Sequence, residues 1–165
     1  MGTTASVGDT VELNPNQRVI DEALGSIIRW SLYEFHVRLV ERSGVSIDRS
    51  IISILTRLSA AGTLRISDLA DRLGLDRSTL SRQVAAAVAA GYVSRTTDES
   101  DSRAYLVSMT DEGKAAYRAV RRARTRLMME LTRQMSSSEV DQVSNALPIL
   151  VRAINNLSAS AGSEP

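Results

Sequence analysis

The sequence predicts a mainly helical protein carrying one small β-hairpin. Three observations lead there. Apolar residues recur at helical spacing through most of the 165 residues. Glycines stop the helical runs at Gly44, Gly62, Gly74 and Gly91. Only two β-prone segments flank a polar stretch, Tyr92–Thr97 and Ala104–Met109 around Asp98–Arg103.

Taken in order, residues 1–17 are small and polar without period and read as a flexible arm. Their opening Met1–Ser6 fits the N-myristoylation pattern, which is short enough to arise by chance and is set aside. A first helix runs from about Arg18 to Glu41, with Ile20, Leu24, Ile27, Ser31 and Phe35 along one side and Gly44 after it. A second, near Asp48 to Ser59, places Ile51, Ile52, Leu55 and Leu58 toward a core. Leu64–Ile66 reads as a very short strand. Ser67 is the expected cap of a short helix holding Leu69, Ala70 and Leu73.

Asp76 follows as the N-cap of a helix through Ala90, with Leu80, Val84 and Val88 inward. The hairpin comes next, its loop longer than a tight turn. Thr110 caps a long helix to about Met135, about 37 Å at 1.5 Å per residue, with Asp111 and Glu112 in the first turn where the dipole favours them. Ser136 and Glu139 form a capping box. The helix they open sets Val140, Val143, Leu147, Leu150, Ile154 and Leu157 in a seam, interrupted by Pro148, which removes one backbone bond. Two such long helices have more apolar edge than one small domain can cover, so the seam reads as a subunit interface. Residues 158–165 read as a frayed tail.

Composition excludes several functions. There is no cysteine, hence no disulfide framework, thiolate zinc site, iron–sulfur cluster or thiol sensor. A single histidine, His36, rules out a His-rich metal centre, and no cofactor is expected. No apolar run approaches a membrane span, the start shows no basic-then-apolar signal peptide, and a cytoplasmic protein is expected. The sequence contains no Walker loop, G-x-S-x-G elbow or dinucleotide fingerprint, so an enzyme is not expected. The six aromatics avoid residues 77–90, which leaves no stacking platform for RNA.

The net charge of +1 hides a gradient. Residues 60–126 hold eleven arginines and Lys114 against eight acids, +4, whereas the chain before is −1 and the chain after −2. The two short helices joined by Gly74-Leu75-Asp76, followed by strand, loop and strand, describe a winged helix-turn-helix. In that motif the second helix enters the major groove and its N-terminal residues meet base edges. Here those residues are Arg77, Ser78, Thr79, Ser81 and Arg82, with Arg95 beyond; residues 77–95 carry three arginines and no acid. Arg118, Arg121, Arg122, Arg124 and Arg126 spread around their helix and read as a solvated face. A winged-helix module that binds protein instead of DNA is the alternative; an acidic recognition helix would favour it, and this one is basic.

The run from Leu69 to Arg82, LADRLGLDRSTLSR, followed by Ala90-Gly91-Tyr92-Val93-Ser94-Arg95, resembles the MarR family of bacterial transcription regulators. So does Asp101-Ser102-Arg103-Ala104 with Leu106–Gly113, similar to that family's wing signature. The resemblance implies a single domain over 18–157, with dimerisation helices at 18–47 and 110–157 and the winged helix-turn-helix at 48–109. It implies a homodimeric repressor on a pseudo-palindromic DNA operator, released by a small-molecule effector. Arg103 would reach the minor groove with Asp101 bracing it, although Ser102 stands where the family usually has arginine and acids crowd the loop. It places effector pockets between the dimerisation helices and the DNA-binding part, where Trp30, Tyr33 and His36 are candidate lining residues.

Overall fold

The computed structural model describes residues 12–98 and 100–161, the side chains of 102, 103, 160 and 161 excepted. The element order is α1 (Pro15–Arg29), a π-helical turn (Trp30–Phe35), α2 (His36–Ser43), α3 (Arg49–Ala61), β1 (Leu64–Arg65), α4 (Ile66–Leu73), α5 (Arg77–Ala89), β2 (Val93–Asp98), β3 (Asp101–Met109), α6 (Asp111–Thr132) and α7 (Ser137–Ala161). It is a mainly helical winged helix-turn-helix with long helices at both ends of the chain.

Several boundaries differ from those read in the sequence. α1 starts at Pro15, inside the segment expected to be a flexible arm. The Asn14 side chain accepts from the Gln17 amide and the Gln17 side chain from the Asn14 amide, a reciprocal cap completed by proline at the first helical position. The acylation pattern at residues 1–6 lies outside the described residues. At the other end α7 continues to Ala161, through part of the expected tail. α4 starts at Ile66 without a side-chain cap, and the Ser67 hydroxyl donates instead to Asp68. On α5, Ala87 rather than Val88 joins Leu80 and Val84 in the core, because each four-residue step drifts by about 40° around an α-helix.

The core lies where α3, α5 and α6 meet the sheet. Ile54, Leu55, Leu58, Leu69, Leu80, Val84 and Val107 are its most deeply buried large side chains. Ala116, Val120, Ala123 and Leu127 supply the inner stripe of α6. The strands form one antiparallel sheet in the order β1-β3-β2, with Leu64 opposite Val107 and Arg95 also opposite Val107 from the other side. The wing is thus tied to the body through β1.

Gly113 fixes where α6 leaves the wing. A Cβ at this position would lie 1.9 Å from the Tyr92 carbonyl oxygen. Around it, the Thr110 amide donates to Tyr92 O (3.2 Å), the Thr110 hydroxyl donates to Gly91 O (2.6 Å) and accepts from the Gly113 amide (2.9 Å). The start of α6 is thereby pinned to the end of the recognition helix. Gly113→Ala is expected to lower the unfolding free energy by about 3 kcal/mol through overpacking against backbone. Urea denaturation measures this, and a change within about 0.5 kcal/mol would mean that the junction opens at no cost.

Candidate nucleic-acid interface

The helix-turn-helix is built by two caps. α4 ends with Gly74 in the left-handed conformation (φ 63°), the Leu75 amide donating to Ala70 O and the Gly74 amide to Asp71 O. Two residues later Asp76 opens α5, its carboxylate accepting from the Thr79 amide (2.8 Å) and the Ser78 hydroxyl (2.6 Å). These bonds, the Ser78 hydroxyl first and Thr79 next, hold the Asp76 carboxyl well below the ordinary carboxylate range. The acid at the tip of the helix is therefore engaged by its own first turn.

Arg77, Ser78, Ser81 and Arg82 are exposed at the start of α5. Thr79 is half-buried, and its hydroxyl accepts from Arg82 Nη2 at 3.4 Å, which places it as a support for Arg82. Toward the C-terminus the exposed surface is alanine apart from Val88, small enough to let α5 approach a groove wall closely. Arg77 and Ser81 face an open cleft of about 420 Å³ whose other wall is the wing, with Arg65, Arg95, Asp101 and Tyr105. Arg95 lies with its guanidinium 3.4 Å from the centre of the Tyr105 ring. The sheet register explains this contact: Thr97 opposes Tyr105, so Arg95, two residues back, is the diagonal neighbour on the same face.

The wing differs from its sequence reading. After Thr97 opposite Tyr105 the register shifts and Asp98 pairs with Asp101, so pairing reaches into the segment expected to be a long loop. Asp98 explains the change. Its carboxylate accepts from the Ser100 amide (2.9 Å) and hydroxyl (2.7 Å) and from Arg65 Nε (2.8 Å), while Arg65 Nη2 also reaches Ser100 Oγ (3.0 Å). Asp98 is only 9% exposed, so one of the three acids crowding the loop is neutralised from within. Arg65 was missed in the sequence because its partner lies 33 residues away; an arginine in a two-residue strand is the one local sign of it. Asp101 is exposed at the cleft rim. Arg103 falls on β3, but its side chain lies outside the described residues.

The candidate effector residues separate. His36 lines two clefts, one of about 400 Å³ toward α5 with Glu41, Asp48 and Tyr92, and one of about 380 Å³ with Phe35, Arg49, Arg57 and Arg124. Trp30 packs on Phe35 (ring centres 4.8 Å apart) and Tyr33 is 73% exposed, and neither lines these clefts. On α6, Arg118, Arg121, Arg122, Arg124 and Arg126 are all exposed. Four of them line one shallow recess, Arg121 shares another with Arg124, and Arg124 also stands over the Phe35 ring, so the set spreads over the outer side of the helix.

The MarR family model matches residues 47–105, from just before α3 into β3. The uncharacterized HTH-type transcriptional regulator YxaD of Bacillus subtilis is 30% identical over 135 residues, covering 82% of this chain and 92% of that protein. The chain belongs to the MarR family. Among solved MarR-like folds, Streptococcus pneumoniae FabT in complex with DNA superposes with a TM-score of 0.72 at 20% identity, covering 85% of this chain and 98% of that one. A mutant of MarR from E. coli complexed with operator DNA gives 0.64 at 23% identity, covering 84% and 99%. Membership makes the chain a DNA-binding transcription regulator, not an enzyme. Among the described residues no helix is long and apolar enough to cross a membrane.

The Asp98 clamp yields a pH prediction. Its carboxyl is held below the ordinary value by the Ser100 hydroxyl and amide and then by Arg65. The contact is therefore complete above the ordinary carboxylate range, about pH 4, and is lost only as pH falls through the lowered folded value. In an acid titration followed by NMR, the Ser100 amide should hold its shift from neutral pH to about pH 4 and move only below it. A midpoint at or above the ordinary value would mean that the clamp is not formed in solution.

Proposed function

We propose that this MarR-family chain is a cytoplasmic homodimer that binds a pseudo-palindromic operator as a repressor and is released by a small-molecule effector. The observation that carries the dimer is the state of its terminal helices. α1 exposes Val19, Ile20, Ile27 and Ile28, and α7 exposes Val143, Leu147, Ile149, Val151, Ile154 and Leu157, the last 72% exposed. Neither helix packs extensively on the body of its own chain. An obligate dimer interface of about 2,000–5,000 Å² would cover these apolar residues.

In such a dimer the two α5 helices enter successive major grooves about 34–36 Å apart. Arg82 and Ser78 on one side of α5 and Arg77 and Ser81 on the other face the base edges, with Thr79 steadying Arg82. Arg95, stacked on Tyr105, keeps its edge donors for a phosphate. Arg103, on β3, is the proposed minor-groove contact and Asp101 its proposed brace. The two clefts around His36 lie between α2 and the winged helix-turn-helix, and an effector lodged in either would bias the spacing of the recognition helices. Control by packing suits a chain without cysteine.

The test is binding to a DNA fragment carrying the protein's own promoter region, across a salt series. Arg82→Ala should weaken binding by about 1–3 kcal/mol and relax sequence preference. Arg95→Ala should weaken it evenly across sequences and reduce the salt slope by about 1. Native protein that binds no better than background, or an Arg82→Ala variant that binds as tightly as native, refutes the DNA contacts. Sedimentation of the native chain as a monomer refutes the dimer.

A further inference from the structure

From Pro15 to Ser43 the chain is helical throughout, yet Trp30–Phe35 winds as a π-helix. Steps of four residues back from the half-buried Ser43, the buried Leu39 and the half-buried Phe35 reach Ser31 and Ile27, which are exposed on this chain. In an unbroken α-helix this series would drift by about 40° per step, leaving Ile27 and Ser43 about 160° apart. A π-turn absorbs one additional residue, about 100° of rotation, and returns the apolar side of α1 toward the buried side of α2.

Such a turn leaves carbonyl groups poorly matched along the rod. Arg49 meets them: its Nη2 donates to Ser31 O at 2.7 Å and to Leu32 O at 2.9 Å. Arg49 is the first residue of α3, the helix that begins the DNA-reading unit. One guanidinium therefore joins the register-setting turn of the dimerisation rod to the winged helix-turn-helix. The same side chain lines the cleft that holds Phe35, Arg57 and Arg124.

We propose that Arg49 is a positioning residue that holds the π-turn and so sets the register of α1 against the DNA-binding unit. The proposal rests on the dimeric reading, because α1 must present its apolar side to the second copy in one orientation. Without the guanidinium, and at constant chain length, Trp30–Phe35 relaxes to ordinary α winding. Everything before it then rotates by about 100° about the rod, carrying Val19, Ile20, Ile27 and Ile28 out of line. An occupant of the adjoining cleft meets the very residue that fixes this register.

The experiment compares Arg49→Ala, Arg49→Lys, a deletion of Tyr33, and the deletion combined with Arg49→Ala, all in the full chain. Deleting the exposed Tyr33 removes the extra residue, so α1 and α2 keep their mutual orientation with plain α winding. Arg49→Ala should raise the dimer dissociation constant about tenfold and speed amide exchange at Phe35–Val37 by a similar factor. Arg49→Lys, with its charge but without the planar fork, should fall between native and alanine. The deletion alone should dimerise within about twofold of native, and the combination should behave like the deletion rather than like Arg49→Ala. Native dimerisation and native exchange in Arg49→Ala, or a combination as weak as Arg49→Ala, overturns the proposal. Should Arg49→Ala not fold, the combination decides alone: folded and dimeric supports the latch, unfolded refutes it. Amide exchange reads the latch in either oligomeric state, so a monomeric native chain would refute the dimeric reading and leave this test standing.

Discussion

The contact of Gly113 with the Tyr92 carbonyl is the constraint on which the geometry of the molecule depends. No side chain fits between them, so α6 must start against the backbone that ends the recognition helix. Thr110 completes the joint by bonding to both Gly91 and Tyr92 while capping its own helix. The wing is a loop that leaves this joint along β2 and returns along β3. Recognition helix, wing and long helix therefore meet at one close-packed joint. A joint that tight lets a displacement in the helices far from DNA reach α5 without being absorbed on the way.

Electrostatics at the reading end follow the same economy of internal partners. Two acids that the sequence places beside the DNA face, Asp76 and Asp98, are both turned onto local donors. Each carboxylate organises backbone there, one the first turn of α5 and the other the tip of the wing. Asp98 is paired with Arg65 and Asp76 is tied to the start of its own helix, while Arg77 and Arg95 line the cleft with Asp101, and Arg82 is exposed on the other side of α5. This explains how a chain of net charge +1 presents a cationic face without a large global charge.

Much of this was legible in the sequence because it rests on local rules. The caps at Asp76, Thr110 and Ser136 and the glycine stops at Gly44 and Gly74 all sit where short-range chemistry places them. The cap at Asn14 was equally legible, since Asn-Pro-Asn-Gln carries both a capping box and an N1 proline, but polar composition masked it. What could not be read depends on distance. The clamp of Arg65 on Asp98 joins residues 33 apart, and it shortens a hairpin loop that composition alone makes long. The union of Arg49 with Ser31 and Leu32 spans a helix end and a linker, and no helical period announces it.

That last contact also accounts for an apparent flaw in the first helix. A series spaced by four residues throughout is a poor α-helical stripe, and periodicity alone would treat Ser43 and Ile27 as lying on different faces. The π-turn reconciles them, and a single arginine from the next helix satisfies the carbonyls it exposes. A long rod with one register would transmit force but could not store two states. A rod whose register depends on one guanidinium has two windings separated by one residue, and in the proposed dimer packing against a second copy would select between them. The terminal helices and the DNA-reading unit are then coupled twice, rigidly through Gly113 and conditionally through Arg49, and only the second coupling can be altered without breaking the core.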